Sequence, residues 1–476
     1  MKPLPMQEAD DSYGNHAAGE VAPAFPQRHS RRSLNVSLRF YRREYTALIK
    51  SLALWGLLGL LVGLLSGSAS ALFLLLLNKA TALRENHAWL LLLLPLAGIL
   101  IGWVYERFGK SAAGGSNLLL ESIHAAENTP VMLPFRLAPL VLLATVVTHL
   151  CGGSAGREGT AVQMGGTLAN LLTKPLRLDA RAHRLLIMAG ISGGFGSVFG
   201  TPLAGAVFGL EVLSIGSLGY EALVPCCVAS YIGDVICRAL GVKHAVYPLG
   251  VPVPALSPSL WLLILAAGVL FGGAAFLFSE LTERVTHLAK THIKSPLLRP
   301  FCGGLAIIAL TSLVGTRAYL GLSLPLIAQA FTPGGVVLGA FALKTLFTAV
   351  TLGTGFKGGE VTPLFCIGAT LGAAFAHLTH QPAGFFAALG FVAVFAGAAN
   401  TPLACIFMGI ELFGAEMGVP LTAACVLAYI LSGHRSIYSS QRLSTSKAHG
   451  IAIEAQATIR DVYTEPPASA KPPPGA

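Results

Sequence analysis

The chain has 476 residues, of which 54% are hydrophobic and only 11% charged, with 54 Gly, 28 Pro, a mean hydropathy of +0.67 and a formal net charge of +10. This composition excludes a soluble globular domain, and continuous apolar runs in place of alternating segments of about ten residues argue against a strand-based barrel. A multi-pass, all-α integral membrane protein is the class that remains.

In chain order, residues 1 to 50 contain no apolar core followed by a small-residue cleavage site, so no signal peptide is expected. Arg28, Arg31, Arg32, Arg39, Arg42 and Arg43 lie in a stretch without acids and place the N terminus in the cytoplasm by the positive-inside rule. Apolar runs follow at Leu52 to Leu77, Trp89 to Val104, Met132 to Leu150, Leu185 to Leu213, Leu260 to Leu277, Val336 to Leu352, Pro363 to Leu378 and Phe385 to Leu412. Several depart from the roughly 20 residues that cross a ~30 Å hydrocarbon core, which predicts tilted and broken helices. Lys174, Arg177, Arg181 and Arg184, then Arg284, Lys290, Lys294 and Arg299, mark two further cytoplasmic loops. The positive charge therefore reports topology, and no nucleic-acid partner is expected. A basic N-terminal segment (1–48), two membrane repeats (49–240 and 241–440) and a short cytoplasmic tail (441–476) divide the chain. Pro466 to Ala476 in that tail is Pro-rich and expected to lack fixed structure. The eight cysteines show no paired CxxC spacing, so buried inert thiols are expected, with no metal or cofactor.

Two charged interruptions stand out. GREGT at 156–160 holds Arg157 and Glu158 between glycines, and GGEVTP at 358–363 holds Glu360 in a second Gly-rich break. A carboxylate in an intramembrane segment is costly, so a functional role is the default. The segments behind them repeat. Met188 to Glu211 aligns without a gap on Ala388 to Glu411, with eight identities in 24 positions, including Phe195/Phe395, Thr201-Pro202-Leu203-Ala204/Thr401-Pro402-Leu403-Ala404 and Glu211/Glu411. A duplicated bundle whose halves meet at a shared site follows. Each glycine-rich break can end one helix and start another, and donor-rich helix starts inside the membrane attract anions. Ionised Glu158 at such a start can occupy the place of the anion, and protonation releases it. The acids are too dispersed to argue for a cation site.

With these motifs, the chain resembles the CLC family of chloride channels and anion/proton antiporters. GREGT resembles that family's GREGP, and GGSNLL (114–119) lies where GGSGIP is expected. GGEVTP resembles GGIFAP, and Tyr438 in GHRSIYSS stands where the family has a pore tyrosine. The resemblance spans roughly residues 50 to 440. It implies a bundle of tilted and re-entrant helices in two inverted repeats, a homodimer with one pathway per subunit, and an anion site at Ser116, Asn117, Gly156, Arg157, Gly159, Glu360, Val361, Thr362 and Tyr438, with Glu158 as gate and proton carrier.

The departures point further. Where antiporters of the family carry a second, internal glutamate this chain has Val212, leaving Glu211 at the position the family uses structurally. Together with GREGT and GFKGGEVTP, this resembles the bacterial fluoride-transporting branch and implies fluoride/proton antiport across the inner membrane. Fluoride is small and strongly hydrated and needs more hydrogen-bond donors than chloride, and Thr362 adds a hydroxyl where the chloride branch has a methyl group. Ser116, a chloride-type residue, keeps a chloride channel or chloride/proton antiporter as the alternative. Other residues have plainer readings. Arg157 and Glu158 can form an ion pair, Glu360 can cap a helix, Glu211 and Glu411 can cap backbone, Tyr438 can be an interface aromatic, and His149 can be a satisfied core histidine. G-x-S-x-G at 152–156 raises a hydrolase with Ser154 as nucleophile, but the strand-to-helix setting that this motif requires is absent, so no enzyme is expected.

Overall fold

The computed structural model describes residues 31–125, 133–250, 252–448 and 457–464. Arg28 and Pro466 to Ala476 lie outside them, as do the side chains up to residue 39. Two compact units divide at Ala53 and Leu54. In the first, helix α1 (Arg31–Asn86) begins, and it runs on into the second.

The second unit is almost wholly helical. After α1 come α2 (Leu94–Phe108), α3 (Ser116–His124), α4 (Leu137–Leu150), α5 (Glu158–Leu171), α6 (Ala180–Phe199), α7 (Pro202–Glu211) and α8 (Leu223–Ala239). The second half supplies α9 (Pro258–His292), α10 (Leu298–Val314), α11 (Leu324–Ala330), α12 (Ala340–Gly353), α13 (Val361–Thr379), α14 (Ala383–Ala399), α15 (Pro402–Phe413) and α16 (Gly418–Leu431). Among the described residues, five helices are long and apolar enough to cross a membrane by length and composition. The shorter ones are the tilted and broken helices that the run lengths predict.

Two apolar runs contain a break that hydropathy hides. Leu185 to Leu213 divides into α6 and α7, and Phe385 to Leu412 divides into α14 and α15. In each, a left-handed residue ends the first helix, Gly200 at φ +75° and Asn400 at φ +57°. Thr201 or Thr401 follows, and Pro202 or Pro402 opens the next helix, where a missing N–H costs nothing.

The duplication extends to the packing. A methyl group on Gly165 of α5 would overlap the carbonyl of Gly190 in α6, and one on Gly368 of α13 would overlap that of Gly390 in α14. Both pairs of helices therefore cross at backbone contact, which only glycine permits. Between the halves, Glu211 accepts from the N–H groups of Leu403 and Ala404 at 3.0 and 2.8 Å, while Glu411 accepts from those of Leu203 and Ala204, both at 2.9 Å. These acids are reciprocal caps, each on the other half's short helix. Six of the eight cysteines are buried, all are unpaired, and no cluster that could hold a metal occurs among the described residues.

Part of the expected tail is docked. Strand β1 (Ser214–Ile215) pairs in parallel with β2 (Arg442–Leu443), and α17 (Ile459–Thr464) follows on the same segment, with Ile459 N–H donating to Gln441 O at 2.9 Å.

Candidate anion site

Glycine makes the two breaks superimposable in form. After α4 the chain turns at Gly152 with φ +90°, and after α12 it turns at Gly355 with φ +108°, a backbone region that side chains disfavour. Each turn leads into a buried helix start, Glu158 for α5 and Val361 for α13. The two starts are tied together. Gly156 N–H donates to Gly359 O at 2.6 Å and Gly359 N–H to Gly156 O at 2.8 Å, a two-residue antiparallel bridge between the halves.

Glu158 sits at that junction, fully buried. One carboxylate oxygen accepts from the N–H groups of Arg157 and Thr362, both at 3.0 Å, and the other accepts from the Thr362 hydroxyl. The Arg157 Nε lies 3.4 Å from Glu158 but forms no hydrogen bond among the described residues, so the ion pair is a secondary contact. The groups around the carboxylate are thus donors from both halves. The N–H groups of Glu158, Gly159, Thr160 and Val361 find no acceptor among the described residues, as the first turn of a helix requires, and add to the positive end of each dipole. Thr160 faces elsewhere, its hydroxyl 2.7 Å from that of Thr145 on α4.

The other expected residues converge from three directions. Ser116 opens α3, and its hydroxyl oxygen accepts from Gln163 Nε2 at 3.1 Å, which leaves the hydroxyl proton to donate. Gly159 lies beside it, a methyl group there falling 3.9 Å from Ser116 Oγ. Asn117 accepts from the Ser440 N–H at 3.1 Å, fixing the loop that carries Tyr438. Tyr438 is buried, and its ring meets that of Phe208 edge-on. Glu360 precedes α13, half-buried, and its side chain makes no capping bond, so the helix-capping alternative has no support. His149 is held between the carbonyls of Thr145 and Ala155 at 2.8 and 3.0 Å, the plainer of its two readings. Ser154 bonds Lys344 and Thr348 and has no histidine partner among the described residues.

Several residues at the site are ones that motif reading does not single out. Gln163 orients Ser116, and Gln441 donates to the carbonyls of Val212 and Ala399 at 3.0 and 3.1 Å. Below Tyr438, whose ring meets Phe208 edge-on at 6.5 Å, the repeat-related Phe195 and Phe395 stack at 6.1 Å. Their identity in the repeat was the available signal.

Residues 97–433 match the family described as "Voltage gated chloride channel". The chain is 49% identical over 419 residues to the "Chloride/fluoride channel protein" of Pseudomonas syringae pv. tomato, covering 86% of this chain and 91% of that one. It is 26% identical over 418 residues to the "H(+)/Cl(-) exchange transporter ClcA" of Yersinia pestis, covering 82% and 85%. Among solved structures it superposes on a CLC-type fluoride/proton antiporter with a TM-score of 0.79 at 36% identity, over 83% of this chain and 98% of that one. A slow cyanobacterial Cl-/H+ antiporter gives 0.69 at 23% identity, over 79% and 94%, which shows the shared fold. The helical bundle, the two joined helix starts and these likenesses lead to one statement: the chain belongs to the CLC family of anion channels and anion/proton antiporters.

Proposed function

We propose that the protein is a fluoride/proton antiporter that expels cytoplasmic fluoride, with Glu158 as both gate and proton carrier. The observation that carries this reading is the carboxylate's position. Glu158 takes up the N–H groups of Arg157 and Thr362 and the Thr362 hydroxyl, a donor set that suits a small anion equally well. Carboxylate and halide compete for these donors. Protonation removes the charge that holds Glu158 there, so its departure admits the anion and moves one proton in the opposite sense. Ser116, Asn117, Gly156, Arg157, Gly159, Glu360, Val361 and Tyr438 complete the anion pathway in this reading.

The choice of fluoride rests on donor supply and on the likeness to the fluoride/proton antiporter. A fluoride gradient directed out of proteoliposomes is expected to draw protons in under voltage clamp, and chloride efflux faster than fluoride efflux overturns the assignment in favour of chloride transport. Thr362→Val keeps the backbone N–H and deletes one donor. Because a net hydrogen bond to a charged group is worth roughly 1.5–3 kcal/mol, the fluoride-to-chloride rate ratio is expected to fall by about tenfold or more. An unchanged ratio, read with ion-selective electrodes, removes Thr362 from selectivity.

The proposed setting is a bacterial inner membrane with both termini cytoplasmic, consistent with the basic loops. A homodimer belongs to the same proposal, as membership of the CLC family suggests.

A further inference from the structure

A second donor-rich cavity lies away from Glu158, at the C-terminal end of α1. About 390 Å³ in volume, it is lined by Asn78, Thr81 and Arg84 of α1, Arg317 of the loop after α10, Ser323, and Gln329 of α11. On α1 the spacing of Asn78, Thr81 and Arg84 puts them on one helix face. Two of these groups are unsatisfied. Arg84 Nη1 and Thr81 Oγ1 are buried and have no hydrogen-bond partner among the described residues. Arg84 is 13% exposed, and its carboxylate neighbour, Glu85, is 57% exposed and 3.5 Å away, a weak and screened pair. Arg317 has no carboxylate partner among the described residues.

A buried cation stands behind one of the wall residues, Ser323. Lys344, wholly buried, directs its three N–H protons among four neutral acceptors, Ser323 Oγ and Ser154 Oγ at 2.9 Å, Gly321 O at 2.8 Å and Tyr319 O at 3.2 Å. Ser323, accepting from Lys344, keeps its own proton to donate into the cavity. Two guanidinium groups thus line the cavity with one exposed carboxylate, that of Glu85. Buried donors left unpaired in the protein are costly, and an anion that takes them removes that cost.

We propose that this cavity binds a phosphate group. It is far larger than a halide requires, and guanidinium forks match phosphate oxygens. The rest of its wall is apolar, from Leu91, Leu320, Leu322, Leu324 and Leu326, and exposed leucines and a tryptophan, Leu75, Leu83, Trp89 and Leu92, lie on the flanking helices. That combination suits the phosphodiester of a lipid head group with part of its glycerol and acyl stem. Free phosphate offers the same oxygens without the apolar portion. If the loop holding Arg299 is cytoplasmic, α10 delivers Arg317 to the outer face, so the lipid belongs to the outer leaflet. The site reaches the anion pathway through two bonds: Gly321 N–H to Gly153 O at 3.2 Å, and Lys344 to Ser154, four residues before Glu158.

The test is binding of short-chain phosphatidylglycerol and of inorganic phosphate to the purified full-length protein in uncharged detergent, followed by titration calorimetry. Arg84→Gln is expected to weaken binding about 10- to 100-fold and Thr81→Val by less, with fluoride transport in vesicles retained as the sign of an intact fold. Binding of lipid alone identifies a head-group site, and binding of both ligands with mutual competition identifies a general phosphate site. Unchanged affinity for both ligands in both variants, or no binding to the unmodified protein, overturns the proposal. Because the assay reads binding, its failure leaves the antiport reading untouched.

Discussion

Glu158→Gln is expected to reduce fluoride-driven proton uptake to the level of protein-free vesicles while the fold survives. The amide matches the carboxylate in size, so the change is one of charge and of proton affinity. Glu158 is fully buried and held by three donors from Arg157 and Thr362. An amide oxygen can accept from one or two of these, but its NH2 cannot, and it carries no exchangeable charge. The competition that would couple the two ions in the proposed mechanism is lost: the anion meets a weaker rival, and no proton leaves or arrives with the side chain. Fluoride movement in this variant is expected to proceed without proton counterflow, so a vesicle with a pH-sensitive dye should show fluoride loss with a flat proton trace. Proton uptake at the unmodified ratio to fluoride would remove Glu158 from the proton route and transfer that role to Glu360, the carboxylate before the start of α13.

The likelihood of such a site was legible in the sequence because the two costly carboxylates stand out against an apolar background. Gly156 and Gly359, two hundred residues apart, proved to be bridged, as the matched breaks implied. The separations of α6 from α7 and α14 from α15 were hidden for a physical reason: Gly200-Thr201-Pro202 and Asn400-Thr401-Pro402 are three-residue turns, too short to lower a hydropathy average. The turn chemistry itself, a left-handed residue followed by an early helical proline, was readable there. Gln163 and Gln441 could not be found in the same way. Their partners, Ser116 and Val212, lie 47 and 229 residues away, and a single polar residue in an apolar helix carries no mark of what it faces. Lys344 shows the same limit. Its charge in an apolar run was visible, whereas its four neutral acceptors are created by the loop after α10 and the turn after α4.

Glu211→Ala is expected to destabilise the folded protein by roughly 1–3 kcal/mol, the range for leaving buried backbone donors at a helix start without their acceptor. Glu211 is 7% exposed and accepts two N–H bonds at the start of α15, a helix of 12 residues. Without it, the Leu403 and Ala404 N–H groups at that start lose their acceptors, and the α7–α15 seam opens. Glu411→Ala should cost less. Its carboxylate caps α7 through bonds of the same length, but it borders the open groove beside Leu203 and Tyr231, where solvent or lipid head groups can replace it. Thermal unfolding in detergent, followed by loss of the monodisperse peak, should rank the variants in that order. Glu211→Gln separates stability from mechanism. One amide oxygen retains one of the two bonds, so part of the fold's stability returns, and folded protein should couple protons to fluoride at the unmodified ratio. Loss of coupling in a well-folded Glu211→Gln protein would contradict a purely capping role and make this residue the internal proton acceptor that Val212 cannot be.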